Sequence, residues 1–146
     1  MSEKMRFQSL AMFAAILYLP IPAYSSDDED AITRLMIESY VEAVYVNRDE
    51  NAVRRGFHPD FVLHVKNGDL ITKESLTQWL QRLNLNGVKS NRPVDYEVDS
   101  IDVTGDSAVA KLRIYLDSEL VYTDYFGFYK FEEGWRFISK LFYGHD

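Results

Sequence analysis

The 146-residue sequence contains no cysteine. No disulfide can staple the chain and no thiol can carry a lipid anchor, so the fold has to be held by its core alone. Positive charge is scarce: 16 Lys and Arg face 23 Asp and Glu, a net charge of −7. Such a surface repels a phosphate backbone and argues against nucleic acid as a partner. There is no GxSxG, no P-loop and no dinucleotide-binding glycine pattern. His58, His64 and His145 have no i, i+4 partner among themselves, so they form no metal site. Nothing in the sequence calls for a cofactor. Internal repeats and low-complexity segments are absent too.

What is present is a folding composition, 47% apolar and 14% aromatic, enough for one domain. The first 25 residues differ in kind. Lys4 and Arg6 precede an apolar run from Phe7 to Leu19, broken by Pro20 and Pro22. Ala23 and Ser25 are the small residues a signal peptidase reads. The segment 1–25 therefore reads as a secretory signal peptide cleaved near Ser25, too short in its apolar part to span a bilayer. The expected product is periplasmic or secreted, without a membrane anchor, and a single domain covers 27–146. Losing Lys4, Arg6 and Glu3 removes a net +1 and leaves −8. The acidic run Asp27, Asp28, Glu29, Asp30 suits a helix start, where carboxylates meet the positive end of the dipole. It lacks the alternating ligands and central glycine of a calcium loop.

Ile32, Leu35, Met36, Ser39, Tyr40 and Ala43 recur at helical spacing. A short second helix is expected over residues 51–57, ending before Pro59. Phe61, Leu63 and Val65 alternate as one face of a strand, and Asn67-Gly68 marks a tight turn. Thr72 reads as the cap of a third helix whose buried face is Leu76, Trp79, Leu80 and Leu83. Long β-branched and aromatic strands follow the loop from Asn84 to Pro93. Helices first and strands last give an α+β fold, three N-terminal helices packed on a strongly curved antiparallel sheet.

Strand parity divides the side chains into two faces. With Val103 opposite Ser107, Glu97 meets Arg113 and Asp99 meets Lys111, both favourable pairs. With Leu116 opposite Glu119, Lys111 meets Asp124, and Phe131 is taken opposite Trp135. The expected inner face carries Ala108, Ala110, Leu112, Ile114, Val121, Thr123, Tyr125, Tyr129, Trp135, Phe137, Ser139, Leu141 and Tyr143. The expected outer face carries Asp124, Lys130, Arg136 and Lys140 with Phe126, Phe128, Ile138 and Phe142. A solvated face holding three phenylalanines is unusual, and an aromatic centre with a charged rim reads as a homodimer surface.

The segments FHPDFVLHV, SIDVTGDSAVAKL, TDYFGFYK and GWRFISKLFY, in this order, resemble the putative lumazine-binding family of the nuclear-transport-factor-2-like superfamily. The resemblance runs from about Ile32 to Tyr143. It implies a cone of curved sheet closed by three helices, an internal pocket and often a dimer. It does not imply lumazine as ligand, because the superfamily includes isomerases, dehydratases, cyclases and binding modules. Steroid-isomerase-like relatives use an aspartate on the first strand as base. The match puts Val65 at or near that position, and valine takes no proton.

His64 neighbours Val65 but faces the other way by parity; a shift of one residue brings it inward. Asp124 is the carboxylate best placed in a family motif, paired with Lys111 on the outer face by parity. His64 and Asp124 are the two candidates for catalysis. Tyr40, Trp79, Tyr125, Tyr129, Phe137 and Tyr143 are candidates to line a pocket for a small apolar or aromatic ligand; the same tyrosines also read as core. The sequence thus leans away from an enzyme and toward a binding or accessory domain. A proton-transfer enzyme and a protein-interaction module are the alternatives.

Overall fold

The computed structural model describes residues 26–145. The expected signal peptide lies outside them. Helix α1 (Ser26–Met36) begins in the acidic run, and Asp28 accepts from Lys130 Nζ at 2.8 Å and Trp135 Nε1 at 2.9 Å. The helix then continues as a π-helix, Ile37–Val46. Its last bond runs from Asn47 N to Glu42 O, five residues back, at 2.7 Å. Arg48, in the left-handed region at φ 53°, turns the chain into α2 (Glu50–Gly56). Asp49 caps α2 by accepting from Asn51 N and Ala52 N.

Strand β1 (Phe57–Asn67) turns at Gly68 into β2 (Leu70–Ser75). Thr72 is part of β2, paired with Val65, and not a helix cap. The cap of α3 (Leu76–Leu83) is Ser75, because Ser75 and Gln78 satisfy each other's backbone N–H in a capping box. Leu76, Trp79 and Leu80 are its buried face, as the spacing predicts.

Four long strands complete the fold: β3 (Val94–Thr104), β4 (Ser107–Leu116), β5 (Glu119–Phe131) and β6 (Gly134–Gly144). They form one curved, unclosed six-stranded sheet in the order β2-β1-β6-β5-β4-β3. Every neighbouring pair is antiparallel except β1 and β6. The helices cover the concave face, and the core fills the space between.

Three bulges correct the expected register. The β3–β4 turn is tighter than expected, with Thr104 opposite Ser107, and Asp99 is an extra residue on β3. The two shifts cancel, so Glu97 does face Arg113. Asp99 still reaches Lys111 at 3.0 Å and Arg113 at 2.7 Å. On β5 Leu116 opposes Glu119 as expected, but Val121 is extra, so Leu112 rather than Lys111 opposes Asp124. That single residue turns the rest of β5 over. Asp124, Phe126 and Phe128 point into the core, whereas Tyr125 and Tyr129 are exposed outside. On β6 Phe131 opposes Gly134, and Ile138 is the bulged residue. Lys140 and Phe142 therefore face inward and Leu141 and Tyr143 outward.

Candidate functional site

The inversion of β5 and β6 brings Asp124 and Lys140 under the helices, where Tyr40 meets them. The Asp124 side chain has no solvent exposure and that of Lys140 has 7%. Tyr40 Oη donates to Asp124 Oδ2 at 2.6 Å. Lys140 Nζ donates to Tyr40 Oη at 2.5 Å and sits 3.0 Å from Asp124 Oδ1. That ion-pair contact is poorly aligned, and Oδ1 has no hydrogen-bond donor aimed at it. Tyr45 Oη lies 3.0 Å from Tyr40 Oη. Since the single Tyr40 proton is committed to Asp124, Tyr45 is the donor in that pair.

The π-helix explains why Tyr40 and Tyr45 meet. Its i→i+5 bonding brings residues five apart nearly into line. At 3.6 residues per turn an α-helix would set them about 140° apart. Their rings contact edge to face, with centroids 5.6 Å apart.

These groups form one wall of a cavity of about 120 Å³ between the π-helix, α3 and the sheet. Tyr40, Tyr45, Trp79, Tyr122, Lys140 and Phe142 line it, and Arg82 stands among them, held by Glu74 in a bidentate ion pair. Asp124 does not reach the cavity wall; it stands behind Tyr40 and Lys140. The ammonium lies over the rings of Tyr40 (4.5 Å), Phe142 (5.3 Å), Phe126 (5.6 Å) and Trp79 (5.7 Å).

Burial disfavours the Lys140 ammonium and lowers its pKa below the ordinary lysine value, against the opposing pull of Asp124. Burial, followed by the field of Asp124, holds the phenols of Tyr40 and Tyr45 above theirs, so both are neutral. The cluster therefore holds one positive and one negative charge that cancel. It can donate a hydrogen bond to a neutral ligand, and Lys140 can act as a base or nucleophile once it has lost a proton.

Of the residues singled out in the sequence, Tyr40 and Trp79 do line the cavity. Phe137 is core, stacked on Phe57 at 4.1 Å. Tyr125, Tyr129 and Tyr143 lie on the outer sheet face, away from the cavity, because the β5 and β6 bulges reverse them. Phe126 and Phe128 are buried at 2% and 1% exposure and leave the outer face without the aromatic centre assigned to them. His64 opposes Leu141 on that outer face, as parity predicts. His58 stacks on Phe131, and His145 meets Thr123 at 2.9 Å. Sequence reasoning missed Lys140 and Tyr45. The available signal for Lys140 was the improbable set of phenylalanines sharing its face. Among the described residues no cluster of His, Asp and Glu could hold a metal ion, and no helix is long and apolar enough to cross a membrane.

Residues 27–143 match the family model described as putative lumazine-binding. No curated protein matches the chain. Among solved structures it is similar to a nuclear-transport-factor-2-like protein of unknown function from Shewanella baltica. The two share 21% identity and a TM-score of 0.69 over 82% of this chain and 95% of the other. A similar protein of unknown function from Methylobacillus flagellatus is 23% identical with a TM-score of 0.67, over 85% and 97%. A protein from Novosphingobium aromaticivorans described as a putative aromatic ring hydroxylase is 21% identical with a TM-score of 0.59, over 82% and 90%. At these identities the likeness shows the fold, a nuclear-transport-factor-2-like cone.

Proposed function

The chain belongs to the putative lumazine-binding family, and from that premise we propose that it is an exported domain binding a small, neutral, apolar or aromatic ligand that carries a hydrogen-bond acceptor. The observation that carries this reading is the buried, charge-balanced Tyr40–Asp124–Lys140 cluster behind an aromatic-walled cavity. An anion or a cation would add a net charge beside the buried ion pair, whereas a neutral ligand keeps the balance. Flat aromatic walls favour a planar ligand, and Lys140, with protons not used by Tyr40, is a donor within its reach.

NMR titration with a set of neutral aromatic carbonyl compounds, lumazine included, tests the reading. Shifts confined to Trp79, Tyr122 and Phe142 are expected. Shifts scattered over the surface, or none, would sink it. N-terminal sequencing of protein recovered from its host tests export; a chain that still carries residues 1–25 in the cytoplasm counts against it.

One observation favours a proton-transfer enzyme as the second reading. Asp124 is inside the cone and 2.6 Å from a tyrosine hydroxyl, an acid–base geometry. Deuterium uptake from heavy water at the carbon beside the carbonyl of bound acetophenone would support it. Binding without exchange would leave the ligand-binding domain.

The outer sheet face supports a homodimer reading, now carried by other residues. Val109, Tyr125, Leu141 and Tyr143 are exposed around a shallow depression at Gly127 and Ser139. Acidic and basic side chains, Asp99 and Glu97 with Lys111 and Arg113, alternate beside it. A face of mixed sign is self-complementary about a two-fold axis, so the occupant proposed is a second copy.

A further inference from the structure

Lys140 goes beyond what a counter-ion for Asp124 requires. Its amine is on the cavity wall, it has three protons, and only one of them makes an aligned hydrogen bond, to Tyr40 Oη. Among the lining side chains it is the only amine. Tyr40, Trp79, Phe126 and Phe142 surround it with flat apolar surfaces. A carboxylate oxygen that lacks a donor stands 3.0 Å away. An amine, an adjacent proton acceptor and an aromatic-walled pocket are the parts needed for carbonyl condensation.

We infer that Lys140 forms a reversible Schiff base with a small aromatic aldehyde or ketone seated in the cavity. This inference rests on the small-ligand reading of the same cavity. The ammonium first passes a proton to Asp124 Oδ1. The free lone pair attacks the carbonyl carbon, the C–N bond forms, and the carbonyl π pair moves to oxygen, which is protonated. The resulting hydroxyl leaves as water, with the second of its two protons also supplied by the amine, and the C=N bond closes. Two of the three ammonium protons depart in that water and the third stays on the iminium nitrogen. The positive charge is conserved beside the Asp124 carboxylate, so the buried charge balance is the same before and after. Burial lowers the pKa of Lys140 and raises its share of free amine near neutral pH.

The test treats the full mature protein with benzaldehyde and sodium cyanoborohydride at neutral pH, then maps the benzylated residue by peptide mass spectrometry. Benzyl alcohol, which has the ring but no carbonyl, is titrated in parallel by NMR on the Trp79 indole. Lys140 should be labelled at least about tenfold over the exposed Lys66, Lys73 and Lys89, since the cavity holds the aldehyde beside its amine and burial favours the free-amine form. Excess benzyl alcohol should suppress that labelling. Benzyl alcohol bound at Trp79 with no label on Lys140 would overturn the Schiff base and leave the ligand site standing. No binding and no preferential label would overturn both. Mapping is done on the wild-type chain because Lys140→Met strands Asp124 and endangers folding. Lys140→Arg, which keeps the charge, should lose the label at this position.

Discussion

Tyr40 Oη and Asp124 Oδ2, 84 positions apart in the chain, lie 2.6 Å from each other with no access to solvent. The bond fastens the π-helix to β5, and Lys140 on β6 closes the triangle. A buried carboxylate held by one phenol and one ammonium depends on both, because nothing else on its Oδ1 replaces a lost partner.

Truncating one ionic partner therefore costs more than removing both. Asp124→Ala leaves a buried ammonium uncompensated and should destabilise by about 3–5 kcal/mol. The pair Asp124→Leu with Lys140→Met should cost clearly less than the sum of the two single changes. Urea unfolding of all variants measures this. Additive losses would show that the two groups do not interact.

The pH dependence of stability follows from opposite shifts in the same cluster. Folding lowers the Lys140 pKa below 10.5. Between that lowered value and 10.5 the unfolded chain binds a proton that the folded chain has given up, so stability rises with pH in this window. The phenols of Tyr40 and Tyr45 are held above 10, so above pH 10 the unfolded chain loses protons the folded chain keeps, and stability falls. Guanidinium unfolding from about pH 7 to about pH 11 should show a rise and then a decline. The double variant without Lys140 and Asp124 should lack the rise and keep the decline. Parallel profiles for the two proteins would contradict the buried-lysine account.

Gly56 is a second point of tight fit. A Cβ built there collides with the Cβ and Oγ of Ser39 on the π-helix, and its 3.0 Å approach to Leu35 leaves no way round. Gly56→Ala should destabilise by about 1–3 kcal/mol as overpacking does. Ser39→Gly in the same chain should recover part of that loss, because it vacates the collided volume. Thermal melts of the single and double variants decide it; a double variant no better than Gly56→Ala would place the strain elsewhere.

The outer face yields a prediction about assembly. Tyr125→Asp with Leu141→Asp places two carboxylates on exposed positions of the sheet and should convert a dimer to a monomer without changing the melting curve of the monomer. Sedimentation at micromolar concentration reads the outcome. A protein that is monomeric before the change, or dimeric after it, rules this face out. Phe126→Glu is unsuited to the purpose, since Phe126 is core.

How much of this was legible in the sequence depended on the kind of signal. The helices and strands announced themselves through period and punctuation, and Trp79 and Tyr40 were placed inside by helical spacing alone. The side of the sheet on which Asp124 falls was not readable from β5 itself. Its bulge sits at Val121, a residue as suited to regular strand as any neighbour, so nothing local marks it. The trace was indirect: the uninterrupted register put Phe126, Phe128 and Phe142 on a face meant for water, and that improbability was the bulge showing through. An uninterrupted register makes these residues a dimer surface; the inserted residues at Val121 and Ile138 account for them instead. The π-helix was hidden for a similar reason, since Ile32, Met36, Ser39, Tyr40 and Ala43 fit an α-helical face equally well.

That π-helix makes part of the cavity wall a matter of counting. Tyr45 stands over Tyr40 because the backbone holds a wider winding from Ile37 to Val46. Restoring ordinary α winding at the same chain length would carry Tyr45 to about 140° from Tyr40, whereas deleting one residue as well would bring it back to about 40°. A homologue could therefore keep this phenol in place with one residue fewer, provided its helix is α-wound throughout. For this site, an alignment gap inside the helix and the loss of the π winding offset each other, and only one without the other moves the phenol.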